Sequence, residues 1–243
     1  MKLIKLNAIP STNDFLKELS RNQELKNWTT VIANNQTKGK GQMGAVWESE
    51  IGKNLIMSVF IKDILSENSK KFDLNVAVSL AIISVLRTLN IPNLSIKWPN
   101  DIMSDSKKIG GILIENIFKW DKSIESIIGI GLNVNQIDFS GLPKASSIGL
   151  IMKKNYDLET LLKQILKKIE ANCNLILNTN FDNSRLNYYN LLFKINVPIV
   201  FERANNLKFM GIIKSVSENG LLEIQLEDDT IQQFSIKEIS MLY

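Results

Sequence analysis

The chain has no histidine among its 243 residues and a single cysteine, Cys173. Without histidine, the usual proton acceptor is missing, so no Ser-His-Asp or Cys-His nucleophile system is possible. The two shortages together exclude a histidine-ligated zinc site and a thiolate cage. One cysteine makes no intramolecular disulfide, which fits a reducing compartment. Arginine is scarce: of 29 basic residues only four, Arg21, Arg87, Arg185 and Arg203, are arginine. Long apolar runs are lacking as well. The amino-terminal MKLIKLNAIP has no signal-peptide core, and no stretch reaches the ~18 uninterrupted apolar residues of a membrane span. A cytoplasmic protein with no membrane partner is therefore expected. Any chemistry must run on carboxylates, lysines, amides, hydroxyls, backbone groups or a bound ion.

What is present is ordinary for a globular chain. Its 243 residues suffice for one large or two modest domains. The formal net charge of +4 suits an anionic substrate, an acidic partner or nucleic acid. Abundant isoleucine, asparagine and lysine beside rare arginine is the pattern of an AT-rich coding bias, so the basicity carries little weight.

Hydrophobic periodicity places the elements. A short strand is expected over residues 2–7, followed by a turn at Pro10. Ser11 and Asp14 have capping-box spacing, and a helix should follow to about Leu25. Residues 28–33 read as a strand, 34–53 as a polar, glycine-bearing stretch and 54–62 as another strand. Leu74, Ala77, Val78, Ala81, Ile82, Val85 and Leu89 recur at helical spacing, which predicts an amphipathic helix over 73–89. Strands follow near 94–98, 109–117 and 123–130. Leu158, Leu161, Leu162, Ile165, Leu166, Ile169 and Cys173 mark a second long helix with Asp157 as its N-cap, and put Cys173 on the apolar stripe as a buried, inert thiol.

After about Leu192 the pattern becomes all strand, over 197–201, 208–216, 221–227 and 231–235. Asn219-Gly220 is a hairpin signal, because both residues tolerate positive φ. A small SH3-like barrel is expected here, with residues 178–189 as connector, giving two domains, 1–190 and 191–243.

Four segments could carry chemistry. Gln36-Thr37-Lys38-Gly39-Lys40-Gly41-Gln42-Met43-Gly44 mixes three glycines with lysines and amides. Such a loop can bring its backbone close to a ligand and aim N–H groups at it. It is neither a Walker loop nor a dinucleotide fingerprint, and by itself reads first as a flexible surface loop with lysines for solubility. Ile96-Lys97-Trp98-Pro99-Asn100-Asp101 crowds polar groups at a strand end. Lys107-Lys108-Ile109-Gly110-Gly111 sets positive charge beside bare backbone. Gly129-Ile130-Gly131-Leu132-Asn133-Val134-Asn135 is a buried strand that exits through asparagines.

Taken in order, these segments resemble the biotin protein ligases, which attach biotin to carrier domains. The matches are Ser11-Thr12-Asn13, the GKGQMG loop followed by Trp47, Ser49 and Gly52-Lys53-Asn54-Leu55, then KWPND, KKIGGILIE and GIGLNVN, spanning residues 11–135. The carboxy-terminal strands extend the likeness nearly to Tyr243. The resemblance implies an α+β fold: a class II synthetase-like, biotin/lipoyl-ligase mixed sheet flanked by helices, plus a small C-terminal SH3-like β-barrel. It implies that biotin and ATP form biotinyl-5′-AMP, with magnesium accompanying the nucleotide, and that a lysine of a biotin carboxyl carrier domain of acetyl-CoA carboxylase or a related enzyme takes the biotin.

The resemblance also assigns roles. Lys108, Lys40 and Asp101 would be catalytic. Ser11, Thr12, Asn13, Gln36, Lys40, Gly41, Gln42, Lys108 and Gly111 would contact biotin. Gly39, Trp47, Asn100, Lys108 and Asn133 would contact ATP and the adenylate, the asparagines by reading adenine. Metal ligands are not assigned. Many members carry arginines where this chain has Lys40, Gln42, Met43 and Ala45. Loss of the planar guanidinium fork at Lys40 leads us to expect weaker retention of the adenylate, although the coding bias against arginine explains the change equally well.

The matching pattern starts at Ser11, which leaves no room for the DNA-binding winged helix of some members. A monofunctional ligase that does not bind DNA, monomeric or homodimeric, is the expectation. The alternatives are a lipoyl or octanoyl protein ligase, which shares the fold and the adenylation chemistry, and a non-catalytic binding module that uses the barrel.

Overall fold

The structure, a computed structural model, describes residues 2–65, 71–177 and 181–243. Its layout follows from β3 (Leu55–Lys62), which is buried from Leu55 to Ile61. A strand with no polar face needs cover on both sides and belongs in the middle of a sheet. β3 is third in a seven-stranded sheet of order β1-β2-β3-β7-β6-β5-β4. The other strands are β1 (Leu3–Ile9), β2 (Thr29–Gln36), β4 (Leu94–Lys97), β5 (Asp101–Ser104), β6 (Lys107–Phe118) and β7 (Ile124–Leu132). β1 and β2 run parallel and the remaining pairs are antiparallel, which makes the sheet mixed.

The period of two along β3 divides the molecule into layers. Leu55, Met57, Val59 and Ile61 enter the large core with the apolar residues of α2 (Phe72–Thr88) and α4 (Leu158–Ile176). On the other face Phe60 joins Leu16 and Leu25 in a small core under α1 (Thr12–Asn22). Between Phe60 and the cavity described below, Ser58 is fully buried and bonded to α1.

Both anticipated caps form. Ser11 Oγ accepts the Asp14 N–H at 3.3 Å and Asp157 Oδ1 the Thr160 N–H at 2.8 Å. Hydrogen bonds from the Thr160 side chain and then its backbone N–H hold the Asp157 carboxyl below its ordinary pKa. Cys173 is fully buried, and burial pushes its thiol up to about 12, so no thiolate exists at neutral pH. No helix among the described residues is long and apolar enough to cross a membrane.

Several elements differ from expectation. β2 runs on to Gln36, three residues into the stretch read as irregular, because Ala8 and Ile9 pair with Asn35 and Gln36. α1 ends at Asn22. β5 is a separate four-residue strand beyond the Pro99 turn, too short to show a period. α3 (Ile148–Met152) and α5 (Asp182–Tyr189) carry no strong amphipathic signal of their own. α5 occupies most of the expected connector, whose residues 178–180 lie outside the described residues.

The carboxy-terminal strands are β8 (Pro198–Arg203), β9 (Lys208–Val216), β10 (Leu222–Gln225), β11 (Ile231–Phe234) and β12 (Ile239–Leu242). They form an antiparallel sheet of order β11-β10-β9-β8-β12, and among the described residues no ladder joins β11 to β12 into a closed barrel. At the β9–β10 turn only Gly220 of the Asn219-Gly220 pair has positive φ, at 83°. The Gly220 N–H bonds the Ser217 carbonyl at 2.8 Å.

The two sheets share one apolar cluster, in which Leu74 and Ile128 are continuous with Phe201, Leu222 and Phe234. The chain entering the second sheet first pairs with the edge of the first: Ile96 N–H bonds Leu191 O at 2.7 Å, and Phe193 N–H bonds Ile96 O at 2.8 Å.

Candidate active site

A cavity of about 260 Å³ opens where the glycine-rich loop crosses the ends of β3, β6 and β7. Its base is built from the first turn of α1 and the end of β2. Gln36 Oε1 accepts from the Thr12 backbone N–H at 2.8 Å and from the Thr12 hydroxyl at 2.9 Å. Ser58 Oγ lies 2.7 Å from Thr12 Oγ1 and 2.6 Å from Asn13 Oδ1. Three oxygen–oxygen contacts thus share two hydroxyl protons, because amide oxygens have none to give. Thr12 and Asn13 are each 3% exposed, so bulk water does not make up the shortfall. The base is rich in lone pairs and one proton short, which favours a ligand that donates hydrogen bonds.

The adjoining wall carries charge. Asp101, at the start of β5, stands 2.6 Å from Lys108 Nζ and 3.3 Å from Lys97 Nζ. Two ammonium groups around one carboxylate leave a net positive wall. Lys108 is aimed by its backbone: its N–H bonds Lys144 O at 2.8 Å, and its carbonyl accepts from the Ser146 N–H at 3.0 Å.

Trp47 closes the wall, with the Lys108 Nζ 5.7 Å from its ring centroid. Bare backbone makes room for the indole. A Cβ on Gly131 would lie 2.4 Å from Trp47 Cε2, too close to be accommodated, whereas one on Gly111 would make only ordinary contact, 3.4 Å from Cζ3. Trp47 Nε1 is buried with no hydrogen-bond partner among the described residues. A buried, unpaired N–H is costly and calls for an acceptor, which an anionic or heterocyclic ligand would supply.

The loop is a tight reversal. Gly41 N–H bonds Ala45 O at 2.7 Å, Trp47 N–H bonds Gly39 O at 3.0 Å, and Lys40 bridges to Val46. At its tip Met43 and Gly44 have φ of 60° and 85°. Lys40 Nζ sits 2.6 Å from Asp14 Oδ2, and this hydrogen-bonded carboxylate holds the lysine above its ordinary pKa.

Most residues singled out in the sequence meet here. Ser11, Thr12, Asn13, Gln36, Lys40, Gly41, Gln42, Trp47, Asn100, Asp101, Lys108 and Gly111 all line the cavity. Gly39 lies on the outer side of the loop, lining a neighbouring groove. Asn133 is not among the lining residues. Its side-chain amide donates to Ser146 O at 3.0 Å and its backbone N–H to Ile109 O at 2.8 Å, which fixes the segment flanking Lys108. Asn100 lines the cavity while its amide donates to Ile112 O at 2.6 Å.

Four contributors had been assigned no role. Lys97 had a signal, its four-residue spacing from Asp101. Ser58 is an unremarkable strand residue in sequence, and Glu115 ends the KKIGGILIE match without a role of its own. Ile236, between β11 and β12, reaches the cavity from the second sheet, and nothing local marks it. Among the described residues no group of three or more Asp, Glu, His or Cys could hold a metal, and Asp101 is the sole carboxylate among the lining residues.

The chain is similar to known proteins. The model of the biotin/lipoate A/B protein ligase family matches residues 6–135. The bifunctional ligase/repressor BirA of Bacillus spizizenii is 30% identical over 231 residues, covering 93% of this chain and 70% of that protein. The biotin--[acetyl-CoA-carboxylase] ligase of Mycobacterium tuberculosis is 25% identical over 204 residues, 83% of this chain and 74% of that one. Among solved structures, the biotin protein ligase of Aquifex aeolicus in complex with biotin and ATP superposes with a TM-score of 0.81 at 27% identity, covering 99% of this chain and 98% of that one.

Proposed function

The chain belongs to the biotin/lipoate A/B protein ligase family, and from that premise we propose how its own residues perform the ligase reaction. It is a biotin protein ligase: it activates biotin with ATP and transfers the biotin to a carrier protein. In the first step a biotin carboxylate oxygen attacks the α-phosphorus of ATP, forming the mixed anhydride and releasing pyrophosphate. In the second the neutral ε-amine of a carrier lysine attacks the anhydride carbonyl, forming the amide, losing a proton and releasing AMP.

The observation that carries this reading is the pairing, across one cavity, of a proton-poor base with a two-lysine wall. The ureido N–H groups of biotin suit the base, with Thr12, Asn13 and Gln36 around them. The biotin carboxylate then reaches toward Lys108, which opposes the repulsion between a carboxylate and a triphosphate. A compact ammonium held by Asp101 suits that role. Gly41, Gln42 and Lys40 fold over the ligand, and Trp47 flanks the nucleotide. Asn100 and Asn133 hold backbone around the nucleotide subsite, and any reading of adenine falls to the groups their own bonds leave open.

Magnesium would arrive on the triphosphate, where it commonly takes few protein ligands, because the one lining carboxylate is already committed to two lysines. The acceptor is a biotin carboxyl carrier domain, and that of acetyl-CoA carboxylase is the candidate its relatives name. A lipoyl substrate fits the base less well, since its dithiolane ring has no N–H to donate.

The test is labelling of a purified biotin carboxyl carrier domain by the purified protein. Label that requires both biotin and ATP, and is lost when the acceptor lysine is replaced, is the expected result. Exchange of pyrophosphate into ATP driven by lipoate or octanoate and not by biotin would overturn it.

A further inference from the structure

Glu115, in β6, has no assigned role, yet it is hydrogen-bonded to the base of the cavity. Its Oε2 accepts from Asn13 Nδ2 at 2.7 Å, and its Oε1 is paired with Lys17 on α1. The two ends of an asparagine amide are nearly alike in shape, so neighbours decide which end faces a ligand. A carboxylate only accepts. Glu115 and the Leu113 carbonyl, 3.3 Å from the same nitrogen, both call for the NH2 end. That leaves Oδ1 facing Ser58 at 2.6 Å. The space is closed on a third side: a Cβ on Gly129 would stand 2.5 Å from Asn13 Oδ1, so the amide rests against bare backbone of β7. With Asn13 at 3% exposure, a flipped amide would set its NH2 against the Ser58 hydroxyl and leave its carbonyl facing a carboxylate.

We propose that Glu115 is a positioning residue for ligand selection: by holding the Asn13 amide with its carbonyl toward Ser58, it keeps the base of the cavity an acceptor site, selective for ligands that present N–H donors. The inference rests on the biotin ligase reading, which supplies the donor as the ureido ring. Glu115 acts through Asn13 and touches no reacting atom. Its effect therefore belongs in biotin binding and not in the chemical step or in ATP binding.

Steady-state ATP–pyrophosphate exchange tests this, with biotin and ATP varied in turn for the wild type, Glu115→Ala, Asn13→Ala and the double variant. Glu115→Ala should raise the KM for biotin roughly tenfold, the effect of one well-oriented hydrogen bond to a neutral group. Its kcat at saturating biotin and its KM for ATP should stay within about threefold of the wild type. The double variant should bind biotin no more weakly than Asn13→Ala alone, because residues acting through one another are non-additive. Should Glu115→Ala lose its cooperative unfolding transition, Glu115→Gln replaces it in the same cycle. An unchanged KM for biotin, a parallel rise in the KM for ATP, or full additivity with Asn13→Ala would overturn the proposal. A wild-type protein without any biotin-driven exchange would instead overturn the ligase reading on which it stands.

Discussion

Asp101 holds Lys108 at 2.6 Å and Lys97 at 3.3 Å, so the two lysines sit in place before an anion arrives. That preorganisation is what a reaction between two anions needs, since groups already oriented do not have to reorganise during the step. Replacing Lys108 by alanine should slow adenylate formation by roughly 10²-fold or more, the loss typical of one transition-state donor. Biotin-dependent pyrophosphate release from the purified variant measures it, and near-normal release would remove Lys108 from the role. Gly131 makes a steric prediction. A methyl group there would lie 2.4 Å from Trp47 Cε2, so Gly131→Ala must displace the indole. A misplacement of about an ångström can cost about 10²-fold; here the loss is expected in kcat/KM for ATP. An unaffected kcat/KM would show that Trp47 does not define the nucleotide subsite.

At the scale of elements, two of the four arginines, Arg185 and Arg203, sit where a guanidinium does what an ammonium cannot. Arg185 on α5 clasps both oxygens of Asp73 at the start of α2, with Nε 2.7 Å from Oδ1, and the two side chains are 14% and 8% exposed. Arg203 stacks within 5.0 Å of the Phe209 ring and 5.3 Å of the Phe234 ring. A lysine would reproduce neither the fork nor the stack. Arg185→Met should destabilise the protein by about 3 kcal/mol, because it strands a buried carboxylate without its partner; urea unfolding measures the loss, and a change under about 0.5 kcal/mol would show the pair to be solvated. Lys40 is the opposite case. Its bond to Asp14 lies between groups 52% and 41% exposed, where a lysine serves as well. The loop therefore keeps a positive charge at that position without a guanidinium.

Across the whole molecule, the second sheet is tied to the first at the site itself. Trp98 Nε1 donates to Gly220 O at 2.9 Å, and Ile236 lines the ligand cavity. Leu192 and Phe193, 3% and 6% exposed, are buried on the far side of the expected boundary at residue 190. The full chain should therefore unfold in urea as one transition. Trp98→Phe, which leaves the Gly220 carbonyl without its donor, should lower the midpoint by the equivalent of about 1–2 kcal/mol without splitting the transition. Two separated transitions would show the sheets to be independent domains.

Much of this was legible in the chain before any fold was known. The missing histidines struck out whole classes of chemistry; the 3.6-residue period of α4 and the two caps are local properties, whereas α2, expected to be amphipathic, is buried on most sides; and the ordered motifs meet at one cavity because most of its lining comes from contiguous segments. What local pattern does not encode is which side chains meet across distance. Short elements such as β5, α3 and α5 owe their form to tertiary packing, which outweighs weak propensity. Ser58, Glu115 and Ile236 gain their places only when strands distant in sequence come together. The proton count at the base of the cavity likewise exists only once Thr12, Asn13, Gln36 and Ser58 are within 3 Å of a neighbour. Sequence determined the kinds of group available and the elements that carry them. Tertiary structure decided which oxygens face one another out of reach of water, and that decides what the cavity accepts.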